Sequence, residues 1–171
     1  CPQKRAGWTQ GLKGNAAWID YAGITQTLDM GGQLMGREFL LWGTTVCGKP
    51  AGTGKRVSWH QDGDTHWDNP YFDEDIHGFN FMGQVYGSTA VNGVWVIPGS
   101  HKQGRLNIVK MVEEAGTERL PEALPIVCNP GDVVINNRQL LHGSFANTGF
   151  ETRVSVNFGF HRRSSVLNVH G

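Results

Sequence analysis

The residues whose types and order could do chemistry are His60-Gln61-Asp62, His142 and Arg153. Two histidines and one carboxylate can occupy one face of an Fe(II) octahedron, leaving three positions open for substrate and oxygen. Arg153 stands eleven residues after His142. Its planar guanidinium offers a fixed fork for a carboxylate. Together these residues describe a non-haem iron site that takes a keto-acid co-substrate.

His-x-acid is a weak motif by itself, and the chain holds two of them, His60-Gln61-Asp62 and His66-Trp67-Asp68. The first lies in a strand-like run, where residues i and i+2 point to the same face, so both side chains can reach one metal. The second lies in a polar loop beside Asn69-Pro70 and is expected to be solvated or to face substrate. A third ligand must come from His77, His101, His142, His161 or His170. His142 follows GDVVINNRQLL and precedes Gly143-Ser144, at an expected strand entrance. His101 closes the turn IPGSH, where capping of the turn accounts for it. His161 stands beside Arg162 and Arg163 and is expected to be exposed. Arg153 lies on the polar face of an alternating strand. An inward-pointing arginine there needs an anionic partner; an outward one needs none.

The elements that must position these residues follow from periodicity. Residues 15–36 read as mainly helical, with the glycines at 31, 32 and 36 breaking or ending the helix. Strands are expected at 38–46, 57–62, 79–86, 93–97, 125–128, 132–136 and 153–160. Loops are expected at 49–55 and 63–78, and an amphipathic helix at 108–119. In 79–86, Asn80, Met82, Gln84 and Tyr86 share one face. In 153–160, Arg153, Ser155, Asn157 and Gly159 share one face and Val154, Val156, Phe158 and Phe160 the other. Many short strands with turns between them, and helix only at the front, predict an antiparallel sandwich or barrel. The polar face of 153–160 would then look toward a central site and its apolar face toward a covering layer.

The chain of 171 residues is long enough for one domain with a sizeable core. We expect a single domain over 1–171, with a helical layer at 1–37 and a jelly-roll core at 38–171. Fifteen basic residues balance fifteen acidic ones, which argues against a nucleic-acid partner. No apolar run approaches the roughly 18 residues of a membrane span. No secretory-type segment opens the sequence as given. Cys1, Cys47 and Cys128 form neither a CxxC pair nor a disulfide ladder, which predicts a reducing, cytoplasmic setting. The first residue is Cys1 rather than Met, as expected of a fragment or a chain with a processed start.

The run from Leu41-Trp42 through KPAGTG, WHQD, NGVWVIPGSHKQG and NPGDVVINNRQLLHGSFAN to Arg153 resembles the phytanoyl-CoA dioxygenase family of Fe(II)/2-oxoglutarate oxygenases. The likeness covers roughly residues 38 to 160, and its pieces occur in the family's order. The resemblance implies a double-stranded β-helix of the cupin-like jelly-roll type. It implies His60, Asp62 and His142 as iron ligands, with Arg153 on the distal carboxylate of 2-oxoglutarate and Ser144 assisting it. Gln84 and Asn80 lie on the polar face of their strand and are further candidates for the co-substrate. Fe(II), 2-oxoglutarate and O2 are the implied cofactor and co-substrates. The implied reaction is hydroxylation of an aliphatic C–H of a small molecule with release of succinate and CO2. Relatives that halogenate lack the carboxylate ligand, so Asp62 favours hydroxylation. Two departures stand out. Only 59 residues precede His60, and residues 79–91 lack the acidic run common before the NG turn.

Two other readings compete. A non-catalytic jelly-roll protein would bind metal or a small ligand without 2-oxoglutarate-dependent oxygen uptake. A cupin-type enzyme that uses its metal without 2-oxoglutarate would leave Arg153 without a role.

Overall fold

The computed structural model describes residues 8–10, 16–53, 55–62 and 77–163. In chain order its elements are β1 (Trp8–Gln10), α1 (Ala16–Ala22), α2 (Thr25–Met35), β2 (Phe39–Lys49), β3 (Val57–His60), β4 (Gly78–Gln84), β5 (Trp95–Val96), α3 (Ile108–Ala115), β6 (Leu124–Pro125), β7 (Val133–Asn137), β8 (His142–Ser144) and β9 (Arg153–Arg162). A single 3-10 turn, Ser100–Lys102, follows β5. The strands form two antiparallel sheets, β1-β2-β9-β4-β7 and β3-β8-β5-β6. This is the two-sheet jelly roll that the strand pattern predicts.

Alternation in β9 decides what each face of the larger sheet does. Val156, Phe158 and Phe160 join Phe79 and Phe81 of β4 in an apolar core, which Ala22 and Met35 cover from the helices. Phe79 stacks on Phe160 with centroids 4.8 Å apart, and Tyr21 of α1 meets Phe81 edge-on at 6.1 Å. A buried phenylalanine truncated to alanine typically costs about 3–5 kcal/mol, so this layer anchors the sheet. The opposite face carries Arg153 and Ser155, both buried. A second core lies on the outer side of the smaller sheet. There Trp59, Ile97, Leu120 and Leu141 pack against Ile108, Met111 and Val112 of α3.

Several elements differ from the sequence reading, each for a local reason. The helical region 15–36 is two helices, and Gly31 and Gly32 lie inside the second rather than breaking it. Gly31 is where the ring of Phe39 passes: a Cβ there would lie 2.8 Å from the ring's Cζ. Only Gly36, with φ +78°, ends the helix. Helix α3 stops at Ala115 because Gly116 turns left-handed at φ +62°, and the Asn107 side chain caps its start by accepting from the Lys110 N–H. The strand expected at 57–62 ends at His60; Asp62 sits in the bend beyond, where its N–H donates to the Arg138 carbonyl at 2.8 Å. The strand expected at 93–97 shortens to two residues.

His161 corrects an expectation of exposure. It is fully buried, with Trp42 edge-on at 5.3 Å and His77 at 5.9 Å between ring centroids. Strand β9 runs two residues past Phe160, so His161 keeps the inward alternation of Arg153, Ser155, Asn157 and Gly159. Its arginine neighbours misled the reading, because charge on adjacent residues says little when successive side chains point to opposite faces. The second His-x-Asp pair at 66–68, most of the loop expected at 63–78, and His170 lie outside the described residues.

The two glycines of α2 make opposite predictions. Gly32→Ala meets nothing within 4 Å and should raise stability by about 0.5–1 kcal/mol through helix propensity. Gly31→Ala must displace the Phe39 ring and should lower it. Paired urea denaturation of the two variants checks the signs.

Candidate metal centre

The site is built by strand register. Pairing of β3 with β8 sets His60 opposite His142. Gly143 lets the strands close: a Cβ there would lie 3.1 Å from the Val57 carbonyl and 3.2 Å from the Trp59 nitrogen. The imidazole centroids are 4.2 Å apart. Asp62 enters from the bend after β3, with Oδ1 3.5 Å from His60 Nε2 and Oδ2 3.7 Å from His142 Nε2. One ligand atom from each residue lies within 4.8 Å of the others, and no further group of this kind exists among the described residues.

Both rings are oriented by their own chain. His60 Nδ1 lies 2.8 Å from the Ser58 carbonyl, and His142 Nδ1 lies 2.8 Å from the Leu140 carbonyl. A carbonyl only accepts, so each Nδ1 carries a proton, and in the neutral ring Nε2 is then the nitrogen free to bind a metal. Gln61 stitches the centre to its surroundings. Its amide donates to the Gly104 and Gln139 carbonyls at 3.0 and 2.8 Å, and its oxygen accepts from the Leu106 N–H at 2.9 Å.

Electrostatics prepare His142 and Asp62 to bind a cation. Burial, the neighbouring His60 and Arg138 push His142 down to about 4 against the pull of Asp62, so it is neutral near pH 7. Burial alone would raise Asp62. His142, Arg138, His60 and the Asn80 hydrogen bond outweigh it, and the carboxylate is held below its usual range.

Beside the triad lies a cavity of about 110 Å³, walled by Val94, Val96, Ile126 and Leu140, with His142 and Arg153 both on its lining. That is far more than the roughly 15 Å³ one water needs. Arg153 is 2% exposed; it donates to the Asn92 carbonyl at 3.2 Å and to Ser155 Oγ at 3.4 Å. Gln84 also lines this cavity. Asn80 does not; its amide donates to Asp62 Oδ2 at 2.6 Å. Ser144 accepts from Lys49 Nζ at 2.9 Å and does not line the cavity.

Lys49 is the residue that sequence reading missed. It closes β2 opposite Arg153, is 4% exposed, and also donates to the Phe145 carbonyl. Burial and the adjacent Arg153 lower it to about 8, against the pull of Cys47. The signal lies in the pattern: Thr45, Cys47 and Lys49 continue one face of β2, while the Pro and Gly residues that follow Lys49 make it read as the start of a loop. Asn147 holds the chain there, donating to the carbonyls of Lys49, Pro50 and Glu151.

The family model for phytanoyl-CoA dioxygenase matches residues 32–155, which includes all three centre residues and Arg153. The chain belongs to the phytanoyl-CoA dioxygenase family. Members of this fold are seen among solved structures. EctD from S. alaskensis, solved with 2-oxoglutarate and 5-hydroxyectoine, is 23% identical with a TM-score of 0.74; the match covers 90% of this chain and 55% of that one. A nickel complex of the non-haem monooxygenase ThoJ is 20% identical with a TM-score of 0.62, covering 81% and 50%. SnoN, a non-haem α-ketoglutarate-dependent epimerase of nogalamycin biosynthesis, is 14% identical with a TM-score of 0.67, covering 96% and 66%. The chain thus spans 50% of the length of ThoJ and 55% of that of EctD. No curated protein matches it by sequence. Among the described residues no helix is long and apolar enough to cross a membrane.

Acid should destabilise the metal-free protein in a defined window. The unfolded His142 takes a proton near pH 6.5 and the folded one only near about 4, so between these values the unfolded state binds more protons and acidification favours it. Asp62 acts in the same direction at lower pH, because its depressed folded value leaves the unfolded carboxylate to protonate first. Urea midpoints measured from pH 7 to 4 should fall, and His142→Gln should flatten the slope.

Proposed function

We propose that this chain is the catalytic core of an Fe(II)/2-oxoglutarate-dependent oxygenase that hydroxylates an aliphatic C–H of a small molecule, releasing succinate and CO2. The observation that carries the reading is the shared cavity. His142 of the three converging donors lines it, and so does the buried Arg153, whose side chain among the described residues donates to the Asn92 carbonyl, Cys47 Sγ and Ser155 Oγ.

The residues fit the ion. Two imidazoles and one carboxylate on one side are a donor set for Fe(II) that leaves positions free. His60, Asp62 and His142 would hold it. When bound, Fe(II) supplies O2 activation coupled to oxidative decarboxylation of the keto acid. The protein's part is placement. Arg153 binds the far carboxylate of 2-oxoglutarate and sets the angle at which the keto-acid end reaches the metal. Gln84 borders the same cavity and helps to orient the co-substrate. Lys49 adds a second positive charge beside Arg153, and Ser144 fixes Lys49 in turn. The apolar walls at Val94, Val96 and Ile126 keep water from the co-substrate. Asp62, as a third protein ligand, supports hydroxylation over halogenation.

Anaerobic addition of Fe(II) and then 2-oxoglutarate to the apo protein should give a visible iron-to-keto-acid charge-transfer band. His142→Ala should abolish it. Arg153→Met should keep metal binding and raise the 2-oxoglutarate requirement roughly tenfold or more, the usual worth of a charge-assisted pair. Iron binding with no band would refute the reading.

A dianion beside Lys49 should also pull that amine back toward its ordinary value. Near pH 8, 2-oxoglutarate binding should therefore take up a fraction of a proton. Calorimetry in buffers of different ionisation enthalpy measures this uptake, and Lys49→Met should remove it.

A further inference from the structure

Arg138 touches Asp62 twice. Its carbonyl accepts the Asp62 N–H at 2.8 Å, which fixes where the backbone of the bend lies. Its side chain reaches the same residue through an intermediary: Nη1 donates to Asn80 Oδ1 at 2.5 Å, and Asn80 Nδ2 donates to Asp62 Oδ2 at 2.6 Å.

The chemistry of the three groups makes this relay directional. A guanidinium only donates and a carboxylate only accepts. An amide between them satisfies both in one orientation alone, with its oxygen toward Arg138 and its nitrogen toward Asp62. Asp62 then has one oxygen tied, which stops the carboxylate from rotating about its last bond. Oδ1 stays turned toward His60, and the remaining lone pairs stay turned toward the space between the histidines.

The sheet is shaped to admit the arginine. A Cβ on Gly159 would overlap Arg138 Nη1, and one on Gly78 would collide with the Phe160 carbonyl as well as lie 2.8 Å from Arg138 Cδ. Gly78 lies two residues before Asn80 on β4, and Gly159 is the cross-strand partner of Asn80 on β9. The guanidinium is largely buried, and its attraction to Asp62 offsets part of the lost hydration.

We propose that Arg138 is a positioning residue of the metal centre, acting through Asn80 to lock the rotamer of the Asp62 carboxylate. The inference rests on the reading of His60, Asp62 and His142 as metal ligands. Outer partners of this kind typically change metal affinity about 10–100-fold.

Cobalt(II) is the probe, because its visible bands report coordination geometry as well as occupancy. Titrations compare the wild type with Arg138→Gln, Arg138→Lys, Asn80→Ala and the double variant Arg138→Gln/Asn80→Ala, with circular dichroism confirming the fold. Arg138→Gln and Asn80→Ala should each weaken Co(II) about 10–100-fold and alter its spectrum. The double variant should be no weaker than the weaker single one, since both break one relay. Arg138→Lys replaces a fixed fork by a rotating donor and should lose less; it carries the test if Arg138→Gln does not fold. Wild-type affinity and spectrum in either Arg138 variant would overturn the proposal. So would losses that multiply in the double variant, because Arg138 would then act as a bare charge. A wild type that binds no cobalt overturns the metal reading itself, and the proposal with it, before any variant is compared.

Discussion

The pairing of β3 with β8 is the constraint on which the rest depends. It is short, and it sets His60 directly opposite His142. A slip of one residue in either strand would turn its imidazole to the outer face, where Trp59 and Leu141 now pack. The register is therefore enforced from both sides of the sheet. Apolar burial under α3 holds the outer residues, and that leaves the histidines no face but the inner one. Gly143 allows the close approach that brings the rings within 4.2 Å.

The larger sheet solves a different problem, that of keeping cations in the interior. Lys49 and Arg153 are paired across β2 and β9, and each is at most 4% exposed. Two buried positive charges side by side are unfavourable without an anion, and the lowered value of Lys49 expresses that tension. The backbone carbonyls of Asn92 and Phe145 and the hydroxyls of Ser144 and Ser155 take up several of the donors that water would otherwise satisfy, leaving Arg153 Nε without a partner among the described residues. Under the proposed function a dicarboxylate would supply the negative charge. The stability that the aromatic layer over Phe158 provides is what permits such a site to persist, since it anchors β9 from the opposite face.

Much of this was legible in the amino-acid order. Alternation in 153–160 assigned the core face and the site face correctly, because a strand's period of two needs no tertiary information. WHQD and HGS, with Arg153 after them, carried the family likeness. The order alone did not show where strands end, since neighbouring strands decide that. Asp62 was expected within a strand and lies in a bend, yet it still meets His60, because the Arg138 carbonyl captures its N–H. Asn80, a candidate for the co-substrate by its strand face, donates to the Asp62 carboxylate. Which residue a polar strand face meets depends on the loop and strand across from it.

The sequence by itself pointed to the His60/Asp62 pair, the antiparallel jelly-roll class and the face that β9 buries. These follow from residue type and period, which are local. The tertiary structure alone decided that His161 is buried, that Lys49 stands beside Arg153, and that Arg138 reaches Asp62 through Asn80. Each of these joins residues far apart in the chain. Their partners are set by strand register and by the space that Gly78 and Gly159 leave open, neither of which any single segment specifies.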